Sequence, residues 1–112
     1  MDKKENLIET FLIASIKYGE AVESGDHKKA NRQSSTIRKI RKQLSTSCEL
    51  ELLIQCMMHE NDYVKLIVAS SLITLLPNDS IKILQELEKK KGLLGFEAKM
   101  FLQEWEKGNI KI

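Results

Sequence analysis

Residues 61–76 read NDYVKLIVASSLITLL, and this stretch decides the fold. Ten of its sixteen positions are apolar: Tyr63, Val64, Leu66, Ile67, Val68, Ala69, Leu72, Ile73, Leu75 and Leu76. As a helix it has almost no polar face wide enough to meet water, so neighbouring elements must cover it on several sides. We therefore predict a central helix from Asn61 to Leu76.

The rest of the chain also favours helix. The sequence of 112 residues contains one proline and five glycines, and its β-branched residues lie at helical spacing rather than in alternating runs. A chain of this length can bury a core without disulfide or metal staples. We predict a single all-α domain, residues 1–112.

Two helices are predicted before the central one. Apolar residues repeat at helical spacing from Lys4 to about Glu23, and Gly25 ends that helix because glycine readily adopts the left-handed conformation after a helix C-terminus. Asp26 then caps a second helix from about His27 to Leu44, whose narrow apolar stripe indicates an edge position. Together they form an αα-hairpin.

A third helix is predicted between this hairpin and the central helix. Thr46 and Glu49 have the spacing of a capping box at its start. Its apolar residues run from Leu50 to Met58, and Asn61 or Asp62 caps the central helix that follows.

The last two helices follow Pro77, which cannot continue the central helix. Asn78 or Asp79 is the predicted cap of the fifth helix, and a sixth begins at about Leu94. Gly95, near that start, indicates the close approach of another backbone. Trp105 shares helical spacing with the apolar residues of the sixth helix, so we place it on the core face rather than at an interface.

Six helices in three antiparallel pairs, with about 37 residues a pair, have the period of stacked helical-pair repeats. We expect a HEAT/armadillo-like α-α superhelix. A closed helical bundle has the same periodicity and stays the alternative.

A resemblance covers residues 59–108, HENDYVKLIVASSLITLLPNDSIKILQELEKKKGLLGFEAKMFLQEWEKG. Its hallmarks are the pair Asn61-Asp62, then Val64-Lys65 and Ala69-Ser70, then Pro77, and finally the pattern GLLGFxAxMxLxEW within residues 92–108. This half resembles a bacterial family known as a domain of unknown function. The resemblance implies a HEAT-like α-α superhelix from a bacterium, and it implies no activity that could be carried over.

The N-terminal half matches that family only through Gly25-Asp26 and Ala30-Asn31-Arg32. The first twenty residues contain no long uncharged apolar run and no small-residue cleavage site, so we expect neither signal peptide nor membrane span. We expect a cytoplasmic protein without a membrane partner. Cys48 and Cys56, eight residues apart on the predicted third helix, cannot bridge each other, and we interpret both as buried free thiols.

The formal net charge is +2, but the positive charge is concentrated in one segment. Residues 25–43 carry seven basic side chains against Asp26 alone, a net charge of +6, and include KKANRQSSTIRKIRK. Such an array contacts nucleic-acid phosphates, docks an acidic protein, or is simply the solvated side of an edge helix. No aromatic residue is interleaved for base stacking.

The polar positions of the central helix form an unusual uncharged stripe. Ser70, Ser71 and Thr74 lie in line with Tyr63 and Ile67, where a solvated helix would present Lys and Glu. Either close helix packing covers this stripe, or it forms the floor of a concave groove, which in such superhelices is lined by the second helix of each pair.

No catalytic or metal signature is recognisable. Cys56, His59 and Glu60 share one helix face, but a further ligand at the usual short spacing is missing. No nucleophile elbow or phosphate-cradling glycine loop is present. We predict a protein that is not an enzyme, with no cofactor, no metal and no small-molecule substrate.

The favoured hypothesis is a module that binds a protein partner on the face formed by the second, fourth and sixth helices. By analogy of fold, an inhibitor or immunity-type role would suit it. The alternative is nucleic-acid binding through the basic second helix. The predicted partner-binding residues are Lys28, Arg32, Arg38, Arg41, Tyr63, Ile67, Ser70, Ser71 and Thr74.

Overall fold

The computed structural model describes residues 3–110, and the first two and last two residues of the predicted domain lie outside that range. The described residues form six helices and no β-strand, which confirms the all-α prediction. Five are α-helices and one is a 3₁₀ helix, in the order α1 (Lys3–Ser24), α2 (His27–Thr46), the 3₁₀ helix (Leu50–Cys56), α3 (Asp62–Ser71), α4 (Pro77–Glu88) and α5 (Leu93–Glu106).

The α1–α2 hairpin forms as predicted. Gly25 has φ +76°, which a glycine adopts without steric cost, and its amide donates to the carbonyl of Val22. Asp26 Oδ1 accepts from the amide of Lys29 at 3.1 Å, so the predicted cap of α2 is present. With only two connecting residues, α2 folds back along α1.

The predicted capping box is wrong. Thr46 is the last residue of α2, and Ser47 ends that helix by donating from its hydroxyl to the carbonyl of Gln43 at 3.0 Å. Glu49 precedes the next helix without a side-chain cap, and this segment of seven residues folds as a 3₁₀ helix rather than an α-helix. A stretch this short between two turns suits 3₁₀ geometry, which occurs mainly in short pieces.

One of the two cysteines is not buried as predicted. Cys48 is exposed because it lies in the turn after α2, where its φ is +59°. It therefore shares no helix with Cys56, which is buried among the apolar residues beside α3. Both thiols are free.

The central helix begins as predicted and ends early. Asn61 Oδ1 accepts from the amides of Tyr63 and Val64, which caps α3. α3 stops at Ser71 rather than Leu76, and a turn follows in which the amides of Leu75 and Leu76 both donate to the carbonyl of Leu72, before Pro77 occupies the first turn of α4. Asn78 and Asp79 therefore lie inside α4 and do not cap it.

The two faces of the α3 segment belong to two different apolar cores. The first core joins it to α1, α2 and the 3₁₀ helix and consists of Ile8, Phe11, Ala14, Ile37, Ile40, Leu44, Leu53, Cys56, Met57, Val64, Ile67, Val68 and Leu72. The second core joins it to α4 and α5 and consists of Tyr63, Leu66, Ala69, Ile73, Leu84, Leu87, Ala98 and Leu102. The segment is therefore central, as predicted.

The last hairpin brings two backbones together at Gly95. An added Cβ at this position would lie 1.8 Å from the carbonyl oxygen of Lys90. Only glycine therefore lets the end of α4 pack against the start of α5, and the predicted close approach is confirmed. Trp105, also on α5, packs partly buried against the second core, in agreement with its predicted core-facing position.

Truncation of one residue in each core tests this double burial. Leu66 is 4% exposed in the second core and Leu72 is 0% exposed in the first. Leu66→Ala and Leu72→Ala should each lower the free energy of unfolding by about 2 to 5 kcal/mol, the cost of truncating a buried leucine. Urea denaturation of the purified variants measures both values.

The matched control is Leu75→Ala, in the turn after α3, where the side chain is 48% exposed. Its cost should stay within about 0.5 kcal/mol, as for other surface substitutions. A variant at Leu66 or Leu72 that behaves like this control would show that one face of α3 is not covered in solution.

Candidate functional site

A groove lies between α2, α3 and α5, with one residue of α1 at its side. Its volume is about 240 Å³, and we refer to it as the central groove. It is lined by Tyr18, Ser34, Ile37, Arg38, Arg41, Leu66, Ile67, Ser70, Glu97 and Phe101. These helices are the second, fourth and sixth of the predicted order, which form the predicted partner-binding face.

The α2 side of the central groove carries two guanidinium groups, and one of them is fixed in place. Arg41 is half-buried, and its Nε donates to Ser71 Oγ at 2.9 Å. The Ser71 hydroxyl in turn donates to the carbonyl of Ile67 at 2.7 Å. Since Ser71 is 0% exposed, its hydroxyl is a rigid acceptor that holds Arg41 in one orientation.

The positive charge of Arg41 is poorly compensated within the fold. Burial, followed by the like charge of Arg38, lowers the pKa of Arg41. No carboxylate oxygen of the described residues lies within 4.0 Å of either guanidinium. Arg41 stays protonated because an arginine side chain keeps its proton at any ordinary pH, so the groove holds a half-buried cation without an ionic partner among the described residues.

A carboxylate is present on the α5 side, but it is already bound. Tyr18 donates from its hydroxyl to Glu97 Oε1 at 2.8 Å, a contact between α1 and α5. Burial raises the pKa of Glu97, and the negative charge of Glu23 raises it further, while the Tyr18 hydrogen bond lowers it. One half-buried carboxylate thus faces the groove opposite the two arginines.

A second tyrosine–carboxylate pair supports the first. Tyr63 donates from its hydroxyl to Glu23 Oε2 at 2.8 Å, and its ring meets that of Tyr18 edge to face, with centroids 6.2 Å apart. Burial, followed by the bonded carboxylates, raises the pKa of both phenols, so both hydroxyls stay protonated donors. This network fixes the position of α1 relative to α3 and α5.

The predicted binding residues are divided between the groove and other places. Arg38, Arg41, Ile67 and Ser70 line the central groove together. Ser70 is itself buried and donates to the carbonyl of Leu66 at 2.7 Å. The groove therefore has an uncharged α3 floor between its charged sides.

The other predicted residues lie outside this lining. Ser71 is fully buried beneath Arg41, and Tyr63 is buried beside Tyr18. Thr74 is exposed in the turn after α3, so it does not continue the stripe. Lys28 and Arg32 are exposed on the N-terminal half of α2.

Sequence reasoning missed six of the ten groove residues, namely Tyr18, Ser34, Ile37, Leu66, Glu97 and Phe101. A signal was present for Glu97, because it interrupts an otherwise apolar face at i, i+3, i+4 and i+7 with Leu94, Ala98 and Phe101. An acidic residue at such a position either is solvated or finds a buried donor, and here the donor is Tyr18.

The Cys56–His59 face has no ligand-binding geometry in the described part of the chain. His59 Nδ1 accepts from the amide of Asn61 at 3.0 Å, so this nitrogen is engaged in the turn before α3. No group of three or more His, Cys, Asp or Glu residues among those described is placed to hold a metal ion. Likewise, none of the described helices combines the length and apolarity that a bilayer span requires.

The fold and this groove define a small all-α protein, and comparison with known structures finds a similar bacterial protein. The crystal structure of the protein RPA1889 from Rhodopseudomonas palustris CGA009 is similar to this chain, with a TM-score of 0.86 over 96% of this chain and 92% of that chain. The two sequences are 18% identical, so the match shows the fold alone. No protein-family model matches the chain, and no curated protein matches it in sequence.

The raised pKa of Glu97 predicts a pH dependence of stability. A carboxyl group whose pKa is higher in the folded than in the unfolded state stabilises the fold below its unfolded pKa, and this contribution is lost as the pH rises through its folded pKa. The free energy of unfolding of the wild type, minus that of Glu97→Gln, should therefore fall as the pH rises from about 4 towards neutrality. Urea denaturation at a series of pH values measures this difference.

Glu106→Gln is the control, because it removes an exposed carboxylate from the same helix. It corrects for the loss of one negative charge. If the free energy of unfolding of the wild type minus that of Glu97→Gln grows with pH, this result would contradict a raised pKa of Glu97.

Proposed function

We propose that this protein is a non-enzymatic, cytoplasmic interaction module that binds a protein partner in the central groove. The observation that carries the proposal is the half-buried Arg41 guanidinium, fixed by Ser71 and left without a carboxylate partner among the described residues. A charge that is partly withdrawn from water and left without a counter-charge costs stability. This cost is offset if a bound ligand provides the missing negative charge.

The size of the groove favours a protein over a small molecule. Pockets that enclose small ligands usually measure about 300 to 1,000 Å³, whereas this groove holds about 240 Å³. That volume accommodates one or two side chains of a partner. The apolar lining from Ile37, Leu66 and Phe101 provides a surface for such side chains.

We also propose that the fold is a HEAT-like α-α superhelix, of the bacterial domain-of-unknown-function family that the C-terminal half resembles. The packing of the helices supports this proposal, because the α1–α2 hairpin and the α4–α5 hairpin each pack against α3. Stacking of each helix pair on its neighbour is the arrangement of such repeats. An inhibitor or immunity-type role for the partner-binding groove rests on analogy of fold.

Nucleic-acid binding is the second candidate, and the exposure of the basic side chains on α2 favours it. Lys28, Arg32, Arg38, Lys39 and Lys42 are all exposed. Binding to phosphates would depend steeply on salt, and the double variant Arg38→Ala/Arg41→Ala would lower the log–log slope by about two. The groove itself offers two aromatic rings, Tyr18 and Phe101, and its Glu97 carboxylate disfavours a polyanion.

A groove-filling variant tests the proposed function. Ser34 lines the groove from α2, and Ser35 is the next residue on the same helix, half-buried like Ser34 but outside the lining. Ser34→Trp should abolish capture of the partner because the indole occupies the groove, whereas Ser35→Trp should capture it as the wild type does. Affinity capture from a bacterial extract, with mass-spectrometric identification, makes the comparison.

Both tryptophan variants are first checked for a cooperative thermal unfolding transition. Equal capture by all three proteins would contradict binding in the groove, and so would the absence of any specifically retained protein. Retention of nucleic acid by the wild type and Ser34→Trp alike at low salt, lost at high salt, would favour the second candidate.

A further inference from the structure

We propose that the central groove recognises a carboxylate of the partner protein, which the guanidinium of Arg41 binds with Arg38 beside it. This inference rests on the proposed function and specifies the chemistry by which the groove selects its partner. The relevant segment of the partner presents either an acidic side chain or its own C-terminus.

The hydrogen bonds of Arg41 leave the required donors free. Among the described residues, Arg41 has one side-chain acceptor, Ser71 Oγ, which its Nε engages. The two terminal nitrogens have no acceptor among the residues that the structure describes. A guanidinium presents its N–H groups as a planar fork, and this fork matches the two oxygens of a carboxylate.

The arginine side chain is held before any ligand arrives. Ser71 is fully buried, and its hydroxyl donates to the carbonyl of Ile67 while it accepts from Arg41. Since the orientation of Arg41 is already restricted, binding loses less side-chain entropy than an unrestrained arginine would lose. This anchoring distinguishes Arg41 from the exposed cations of α2.

The charges around the groove select a carboxylate rather than a phosphate. Arg41 and Arg38 attract an anion, but the half-buried Glu97 faces them across the groove. With Glu97 ionised, the two guanidinium groups and this carboxylate carry a net charge of +1, which a singly charged carboxylate neutralises and a dianionic phosphate exceeds. Beside the arginines, Phe101 and Leu66 offer apolar contact to the rest of a peptide segment.

Small carboxylate probes test the site without knowledge of the partner. N-acetyl-leucine carries the carboxylate of a C-terminus, N-acetyl-glutamic acid α-amide carries that of an acidic side chain, and N-acetyl-leucinamide is the neutral control. Each is titrated into the full chain labelled with ¹⁵N, and the Arg41 Nε–H resonance is followed by NMR. One or both carboxylates should cause saturable shifts of this resonance, and the amide should cause none.

Matched variants assign those shifts to Arg41. Arg41→Gln should weaken binding of the carboxylate probe at least tenfold, read from the backbone amides of α2 and α3. Lys29→Gln removes a positive charge from the same helix outside the groove and should leave the affinity unchanged. Arg41→Lys keeps a cation but not the fork, so it should also weaken binding, and it replaces Arg41→Gln if that variant does not fold.

Three results would overturn the proposal. They are saturable shifts of equal size with the neutral amide, undiminished binding by both Arg41 variants, and tighter binding of inorganic phosphate than of either carboxylate. The proposed function can fail separately. If Ser34→Trp loses the partner while Arg41→Gln captures it as the wild type does, the groove binds a protein but not through a carboxylate.

Discussion

α3 must be covered on two opposite faces, and the other helices are arranged to meet that requirement. Leu66 and Ile73 belong to one core, while Val64 and Leu72 belong to the other. One hairpin therefore packs on each side of the segment. The central groove is the space between the α1–α2 hairpin and the α4–α5 hairpin, and α3 forms its floor. This position explains why α2 and α5 supply its charged side chains.

The helical pattern could be predicted from the sequence, but two helix boundaries could not. The spacing of apolar residues reflects which side chains are buried, not where a helix ends. Leu72 and Ile73 are therefore buried as the spacing predicts, although α3 has already ended at Ser71. The end of a helix depends on local backbone hydrogen bonds, and after α3 the amides of Leu75 and Leu76 both donate to the carbonyl of Leu72 in a turn. For the same reason Thr46 completes α2 rather than capping the segment that follows.

The candidate site was accessible from the sequence only in part. The basic character of α2 and the uncharged floor of α3 are local patterns, and they identified Arg38, Arg41, Ile67 and Ser70. The Tyr18–Glu97 contact joins residues 79 positions apart, and no local pattern encodes such a pairing. The burial that leaves Arg41 without a carboxylate likewise depends on how the hairpins meet, not on its sequence neighbours.

The sharing of α3 between two cores also affects how the domain unfolds. In a long array of helical repeats, an end repeat can open while the others stay folded. Here, loss of the α4–α5 hairpin would expose Leu66 and Ala69 on the helix that also completes the first core. The molecule should therefore unfold as one cooperative unit, and core amide protons on both sides of α3 should exchange with solvent at similar rates.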